Sequence, residues 1–206
     1  MAIYLLAAMG GAKGNRIVNT IIANNTVIRN DDDKERIGLV VFTADTASDY
    51  EGHVGYIPPG TTVEYSDDNL IQTTIIMGNS IDGAWNGILV AAANMGNQNN
   101  ILEDLKIVGN TITNATWGLV INTALSPGSR PTINNIISNV EISRNTIQNA
   151  LTGINLGTIG TPSSLFSSDE INGNILDSVL LKNNLINGWQ FSDIEVDGPV
   201  TNLVIE

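Results

Sequence analysis

Five asparagines, Asn25, Asn79, Asn110, Asn145 and Asn184, hold the same place in a recurring thirteen-residue block. Ten residues before each stands another asparagine: Asn15, Asn69, Asn100, Asn135 and Asn174. Between each pair runs Asn-h-h-x-x-h-x-h-x-x-Asn, with h mostly apolar. The third copy reads Asn100-Ile-Leu-Glu-Asp-Leu-Lys-Ile-Val-Gly-Asn110-Thr-Ile, and the fourth Asn135-Ile-Ile-Ser-Asn-Val-Glu-Ile-Ser-Arg-Asn145-Thr-Ile. A fixed block at long, unequal intervals is the mark of a solenoid, a chain wound into stacked coils.

Each block contains two short stretches of period-2 alternation. Leu105 and Ile107 point one way and Lys106 the other, and Ile112 resumes the inward side after the turn at Asn110. Nine residues past the ladder asparagine a third strand begins, opened by glycine in three copies: Gly87-Ile-Leu-Val, Gly118-Leu-Val-Ile and Gly153-Ile-Asn-Leu. Three such strands cannot bury their aliphatic positions as a hairpin. Stacked coil on coil at roughly 4.8 Å, they form three parallel sheets around an aliphatic core.

The pattern V-x-I-x-x-N-T-I…G-I-x-L resembles the repeat of right-handed parallel β-helix proteins, the pectin-lyase-like superfamily, over essentially the whole chain. The resemblance implies an all-β, right-handed parallel β-helix with asparagine ladders, here of about six coils forming one domain over 1–206. It implies that each ladder asparagine adopts a left-handed backbone and stacks its amide on the next coil's amide, a structural role. It also implies a secreted or cell-surface parent, and an active cleft along the third-strand sheet. There the pectin-active relatives carry Ca²⁺-binding or acid/base carboxylates with basic residues. This chain departs from that pattern: Val40, Leu89 and Val120 stand mid-sheet, and the clustered aspartates with an Arg or Lys base, the paired aspartates and Gly-His-Gly are missing.

Charge narrows the partners. The net charge is −12 and the pI near 4.2, which disfavours nucleic acid and anionic membranes. No apolar run is long enough to span a bilayer. Without cysteine there is no disulfide framework or thiolate chemistry. The opening Ile3-Tyr-Leu-Leu-Ala-Ala matches Ile88-Leu-Val-Ala-Ala-Ala in register, so it reads as a strand and not as a signal-peptide core. Leu203 and Ile205 fall on inward positions of a block whose ladder position would be 208. Both solenoid ends are therefore expected to be open, as in an excised piece of a longer β-helix, one covered by another subunit, or a shortened gene product with open ends, of which the first needs fewest assumptions.

Rigid coils vary in length on one flank. From the third strand to the next block the interval is twelve residues after Ile3 and Ile88, sixteen after Leu119, twenty after Ile154 and thirty after Leu39, giving a long loop at 43–68. Alternation puts two rows outward on the neighbouring sheet. One is Tyr4, Val40, Leu89, Val120, Asn155 and Glu195; the other is Leu6, Phe42, Ala91, Asn122, Gly157 and Asp197. The apolar part of these rows is expected to pack under the long loop or against a partner, including a second copy.

Candidate sites compete with plainer readings. Asp193, Glu195 and Asp197 share one strand face and could recruit Ca²⁺ or act as an acid/base pair; the plainer reading is a solvated acidic strand. Asp31-Asp32-Asp33-Lys34-Glu35 lacks Ca²⁺-loop spacing and reads as a solvated charge run. His53 with Glu51 or Asp49 would be the acid/base set of a catalytic loop; a lone loop histidine is more often a surface residue. Trp85, Trp117 and Trp189 precede the outward sheet and, with Asn155, could stack and bind a glycan; corner packing is the rival. Three functions follow: a polysaccharide-binding or surface-display module, a divergent polysaccharide lyase or glycoside hydrolase, and a structural solenoid that self-associates through open ends or its apolar face.

Overall fold

A computed structural model describes residues 3–9, 11–28, 37–45, 64–94, 96–125, 131–158 and 172–206. Among them are seventeen strands and three all-parallel sheets. Sheet A stacks β1 (Ile3–Met9), β4 (Ile37–Asp45), β7 (Asn86–Ala93), β10 (Trp117–Ala124), β13 (Thr152–Gly157) and β16 (Ser192–Asp197) in that order. Sheet B stacks β2 (Arg16–Ala23), β5 (Leu70–Met77), β8 (Ile101–Val108), β11 (Ile136–Ser143), β14 (Ile175–Lys182) and β17 (Val200–Ile205). Sheet C stacks β3 (Thr26–Ile28), β6 (Ser80–Asp82), β9 (Thr111–Thr113), β12 (Thr146–Gln148) and β15 (Leu185–Asn187). Every third strand pairs in parallel, so the chain is a parallel β-helix of six coils, the sixth represented by β16 and β17. No helix among the described residues is long and apolar enough to cross a membrane.

Inward positions build one continuous core. Leu39, Ile88, Leu119 and Ile154 are fully buried in a single pairing column of sheet A, while Leu102, Leu105, Ile107 and Ile112 come from sheets B and C of one coil. Ile3, Leu5 and Ile17 at one end of the stack, and Ile186, Ile194 and Leu203 at the other, pack on this core only partly buried.

Sheet B explains the two-residue gap inside the sequence block. Asn19, Thr73, Asp104, Asn139, Ser178 and Asn202 have φ between 51° and 58° and are skipped by the strand pairing. One left-handed residue shifts the alternation by one position. Leu102 and Leu105 can then both face inward although three residues apart, and the strand bends around the core.

The ladders differ from the expected geometry in one respect. The left-handed residue precedes each ladder asparagine: Asn24, Gly78, Gly109, Arg144 and Asn183 have φ of 53° to 63°, and the ladder asparagines do not. The preceding residue makes the turn, which frees the asparagine's own backbone N–H to join the ladder. Asn79 shows the result: its N–H and its Nδ2 both donate to Asn110 Oδ1 at 2.9 Å, and Nδ2 also donates to the Ile22 carbonyl at 3.0 Å. Asn110 repeats this with Asn145 Oδ1 and the Ile76 carbonyl. Each buried amide is satisfied by its neighbours, as burial requires.

The upstream asparagines form a second ladder by the same rule. Asn69 N–H and Nδ2 donate to Asn100 Oδ1, and Asn100 N–H and Nδ2 to Asn135 Oδ1, at 3.0 to 3.2 Å. Both ladders run one way: donors on each coil point to the acceptor on the next.

Candidate functional site

The outward face of sheet A has the register expected from alternation. Tyr4, Val40, Leu89, Val120, Asn155 and Glu195 pair in one column, and Leu6, Phe42, Ala91, Asn122, Gly157 and Asp197 in the next. Its chemistry changes along the stack. Ile37, Val40, Phe42, Leu89, Ala91, Val120 and Leu125 form a second buried apolar cluster, with Leu6 and Trp117 packed against it. Val40, Leu89 and Val120 are thus buried within the single chain. Of the two expectations, packing under the chain's own long loop or against a partner, burial within the chain fits the first, although residues 46–63 of that loop lie outside the described residues; a face already desolvated has little left to gain from docking.

Beyond Val120 both columns turn polar, at Asn122 on coil four in one and at Asn155 on coil five in the other. Asn122 Nδ2 donates to Asn155 Oδ1 at 3.3 Å, and Asn155 Nδ2 donates to Asp197 Oδ2 at 2.9 Å, a zigzag across three coils. Thr152 Oγ1 donates to Glu195 Oε2 at 3.4 Å. Asn155, read from sequence as a glycan ligand, is buried with both ends of its amide engaged, so it holds Asp197 in place and is closed to a ligand. Asn122 Oδ1 is buried without a hydrogen bond; it fills the notch left by Gly157, where a Cβ would lie 2.6 Å from it. Only a glycine on coil five admits that carbonyl.

Asp193, Glu195 and Asp197 stand on β16 as alternation requires, yet the three carboxylates do not converge. Asp193 Oδ1 accepts from the Ile194 N–H at 2.8 Å, Glu195 faces Thr152, and Asp197 faces Asn155. Alternate residues along a strand lie about 7 Å apart, too far for three side chains to close on one ion without other donors. Among the described residues no group of three or more His, Asp or Glu could hold a metal. His53, Glu51 and Asp49, and the run Asp31–Glu35, lie outside the described residues.

The tryptophans follow the corner between sheets C and A without forming one column. Trp117 lies level with Asn86 and Thr152, one position along from Trp85, and packs half-buried on the outer apolar cluster. Trp85 is 39% exposed on coil three and Trp189 48% on coil six. Trp189 takes the position that small Ala84, Ala115 and Ala150 occupy on earlier coils, where they are buried.

Beside it Phe191, 74% exposed, was missed by sequence reasoning. The signal was a spacing: ten residues separate Asn184 from Ile194, where the other regular coils have nine. The extra residue cannot enter the ladder. Gln190 and Phe191 N–H both donate to the Leu151 carbonyl at 3.3 and 2.9 Å, and the bulge turns the phenyl ring to solvent. Trp85, Trp189 and Phe191 are the exposed aromatic side chains of this corner. Three coils separate the first from the last, about 14 Å at the inter-strand spacing. The adjoining outward columns carry carboxylates and no basic side chain. No protein-family model, curated protein or solved structure is significantly similar to this chain.

Proposed function

We propose that this chain is a carbohydrate-binding module on a β-helix of the pectin-lyase-like kind, with Trp85, Trp189 and Phe191 as its platform. The observation that carries the reading is their exposure along one corner while Val40, Phe42, Leu89, Ala91 and Val120 on the outward face of sheet A are buried. Large aromatic rings are costly to leave in water and are kept there where a ring-shaped ligand covers them. Asp193, Glu195 and Asp197 flank the platform and the chain is strongly anionic, which favours a neutral polysaccharide over a polyuronate. The inert apolar centre of the cleft face supports binding over turnover.

The test is calorimetric titration with soluble neutral glucans, xylans and mannans, beside polygalacturonate, alongside an assay for new reducing ends. Trp85→Ala with Trp189→Ala is expected to lose about 1–2 kcal/mol, roughly 5–30-fold in affinity for the polymer bound. Unchanged affinity in the double variant would remove the platform, and sustained release of reducing ends would make the chain an enzyme.

A further inference from the structure

We propose that Asn172 is a site of spontaneous deamidation, and that the fold sorts three Asn-Gly pairs into one protected and two labile ones. The pairs are Asn86–Gly87, Asn172–Gly173 and Asn187–Gly188. In the reaction the glycine backbone nitrogen attacks the asparagine side-chain carbonyl carbon and the bond to the side-chain nitrogen breaks. Ammonia leaves with the proton given up by the glycine amide. The five-membered succinimide is then opened by water at either carbonyl, giving aspartate or isoaspartate. Water is the only co-reactant. The geometric demands are a glycine N–H held by no acceptor, a mobile asparagine amide, and room for the ring.

Asn172–Gly173 meets them. Both residues are exposed, Gly173 sits at φ 72°, and the Asn172 side chain makes no hydrogen bond among the described residues. On earlier coils the left-handed residue in this column ties its N–H to the coil above. Gly14 donates to Asp67, Asp68 to Gln98, Asn99 to Ile133 and Asn134 to Asn172, all at carbonyl oxygens. Gly173 N–H finds no such acceptor among the described residues. The chain crosses from β16 to β17 through Gly198 and Pro199 alone, so no equivalent turn stands over Gly173.

The other two pairs supply the contrast. Asn187 is also exposed, next to Gly188 at φ 71°. Asn86–Gly87 lies in the middle of sheet A, with Asn86 paired to Ile37 and Trp117, and with Gly87 so close to the next coil that a Cβ would meet the Gly118 carbonyl oxygen at 2.5 Å. A succinimide there requires opening the sheet. The ladder asparagines Asn79, Asn110 and Asn145 are closed by another route, since their amides are held on both sides.

The test is incubation of the full chain at mildly alkaline pH, native and in urea. Peptide mapping by mass spectrometry and an isoaspartyl methyltransferase label read all three pairs. Natively, Asn172 and Asn187 are expected to convert at least about tenfold faster than Asn86, a gap set by the cost of local opening. In urea the three rates are expected to converge. Gly173→Asn places in this column the residue found at Asn99 and Asn134, with its Cβ displacing the Asn134 side-chain oxygen, and is expected to slow conversion at Asn172 strongly and leave Asn187 unchanged. A native rate at Asn172 no faster than at Asn86 would overturn the proposal, and the wild-type comparison decides even if the variant fails to fold.

Discussion

The polarity of the asparagine ladder predicts that identical substitutions cost different amounts along it. Asn110→Ala removes an oxygen that accepts two hydrogen bonds from Asn79. It leaves the Asn79 backbone N–H and one Nδ2 proton without acceptors in a dry interior, and it strips the Ile76 carbonyl of its Nδ2 donor. Each orphaned buried donor costs about 1–3 kcal/mol, so the variant is expected to lose about 2–6 kcal/mol. Asn25→Ala deletes a side chain whose Nδ2 donates to Asn79 Oδ1 and the Ala23 carbonyl, but whose Oδ1 accepts nothing. Asn79 Oδ1 keeps the bond from the Asn25 backbone N–H, no donor is orphaned, and the loss should be near 1 kcal/mol. Asn184→Ala falls between: it orphans two Asn145 donors at a half-buried position where water can partly replace them. Urea and thermal unfolding of the three variants check the order. For a chain of this length the Asn110 loss corresponds to roughly 5–20 °C in Tm and the Asn25 loss to a few degrees. Equal losses at Asn25 and Asn184 would refute the directional ladder, because a ladder without polarity treats its two ends alike.

Gly118→Ala is expected to destabilise by about 2–3 kcal/mol or to block folding, since a Cβ would lie 2.5 Å from the Gly153 carbonyl oxygen and 2.6 Å from Ile147 Cγ2. Gly109→Ala, with open space around the site but φ at 63°, should cost only about 1 kcal/mol; chemical denaturation separates the two. Asp82 accepts from Thr113 Oγ1 and Asn114 Nδ2, which hold its carboxyl below the ordinary value of 3.8. A depressed folded-state pKa adds stability that is present above the unfolded value and lost as pH falls through the folded one. Asp82→Asn should therefore lower Tm at pH 7 and flatten its decline below about pH 4, so that variant and wild type converge in acid. Asp177, held low by Thr201 Oγ1, Ser178 Oγ and Asn202 Nδ2, should behave in the same way. In glycan titrations, raising ionic strength should leave a neutral polymer's affinity unchanged, whereas an affinity confined to low salt would point to charge and away from stacking.

Sheet registers were legible because alternation and the asparagine block together leave one way to align the coils. Ile3, Leu39, Ile88, Leu119, Ile154 and Ile194, aligned from sequence, share one pairing column. What pattern reading missed was conformational. Arg144 and Thr73 carry no sign of a left-handed backbone in their identity, yet both adopt one, because the coils above and below fix the path at those positions. The upstream asparagines were visible as a repeat but not as a ladder, since spacing does not reveal where an amide points. Val40, Leu89 and Val120 were legible as an apolar row needing cover, but alternation assigns a direction and does not say whether the chain itself or a partner covers it. Phe191 was hidden for the opposite reason: one extra residue broke the spacing on which the alignment relied.

Distance along the chain and distance in space come apart in this molecule. Successive amides of the downstream ladder are 54, 31, 35 and 39 residues apart in sequence, yet the side-chain bonds joining them span only 2.9 to 3.0 Å. Extra length falls in sequence between a strand of one sheet and a strand of the next, and the stack above and below keeps its phase. A coil is therefore a socket of fixed height that accepts a connection of almost any length. Segments of foreign sequence placed between sheets A and B would be carried on the scaffold at a rung chosen in advance, about 4.8 Å from the rung beside it.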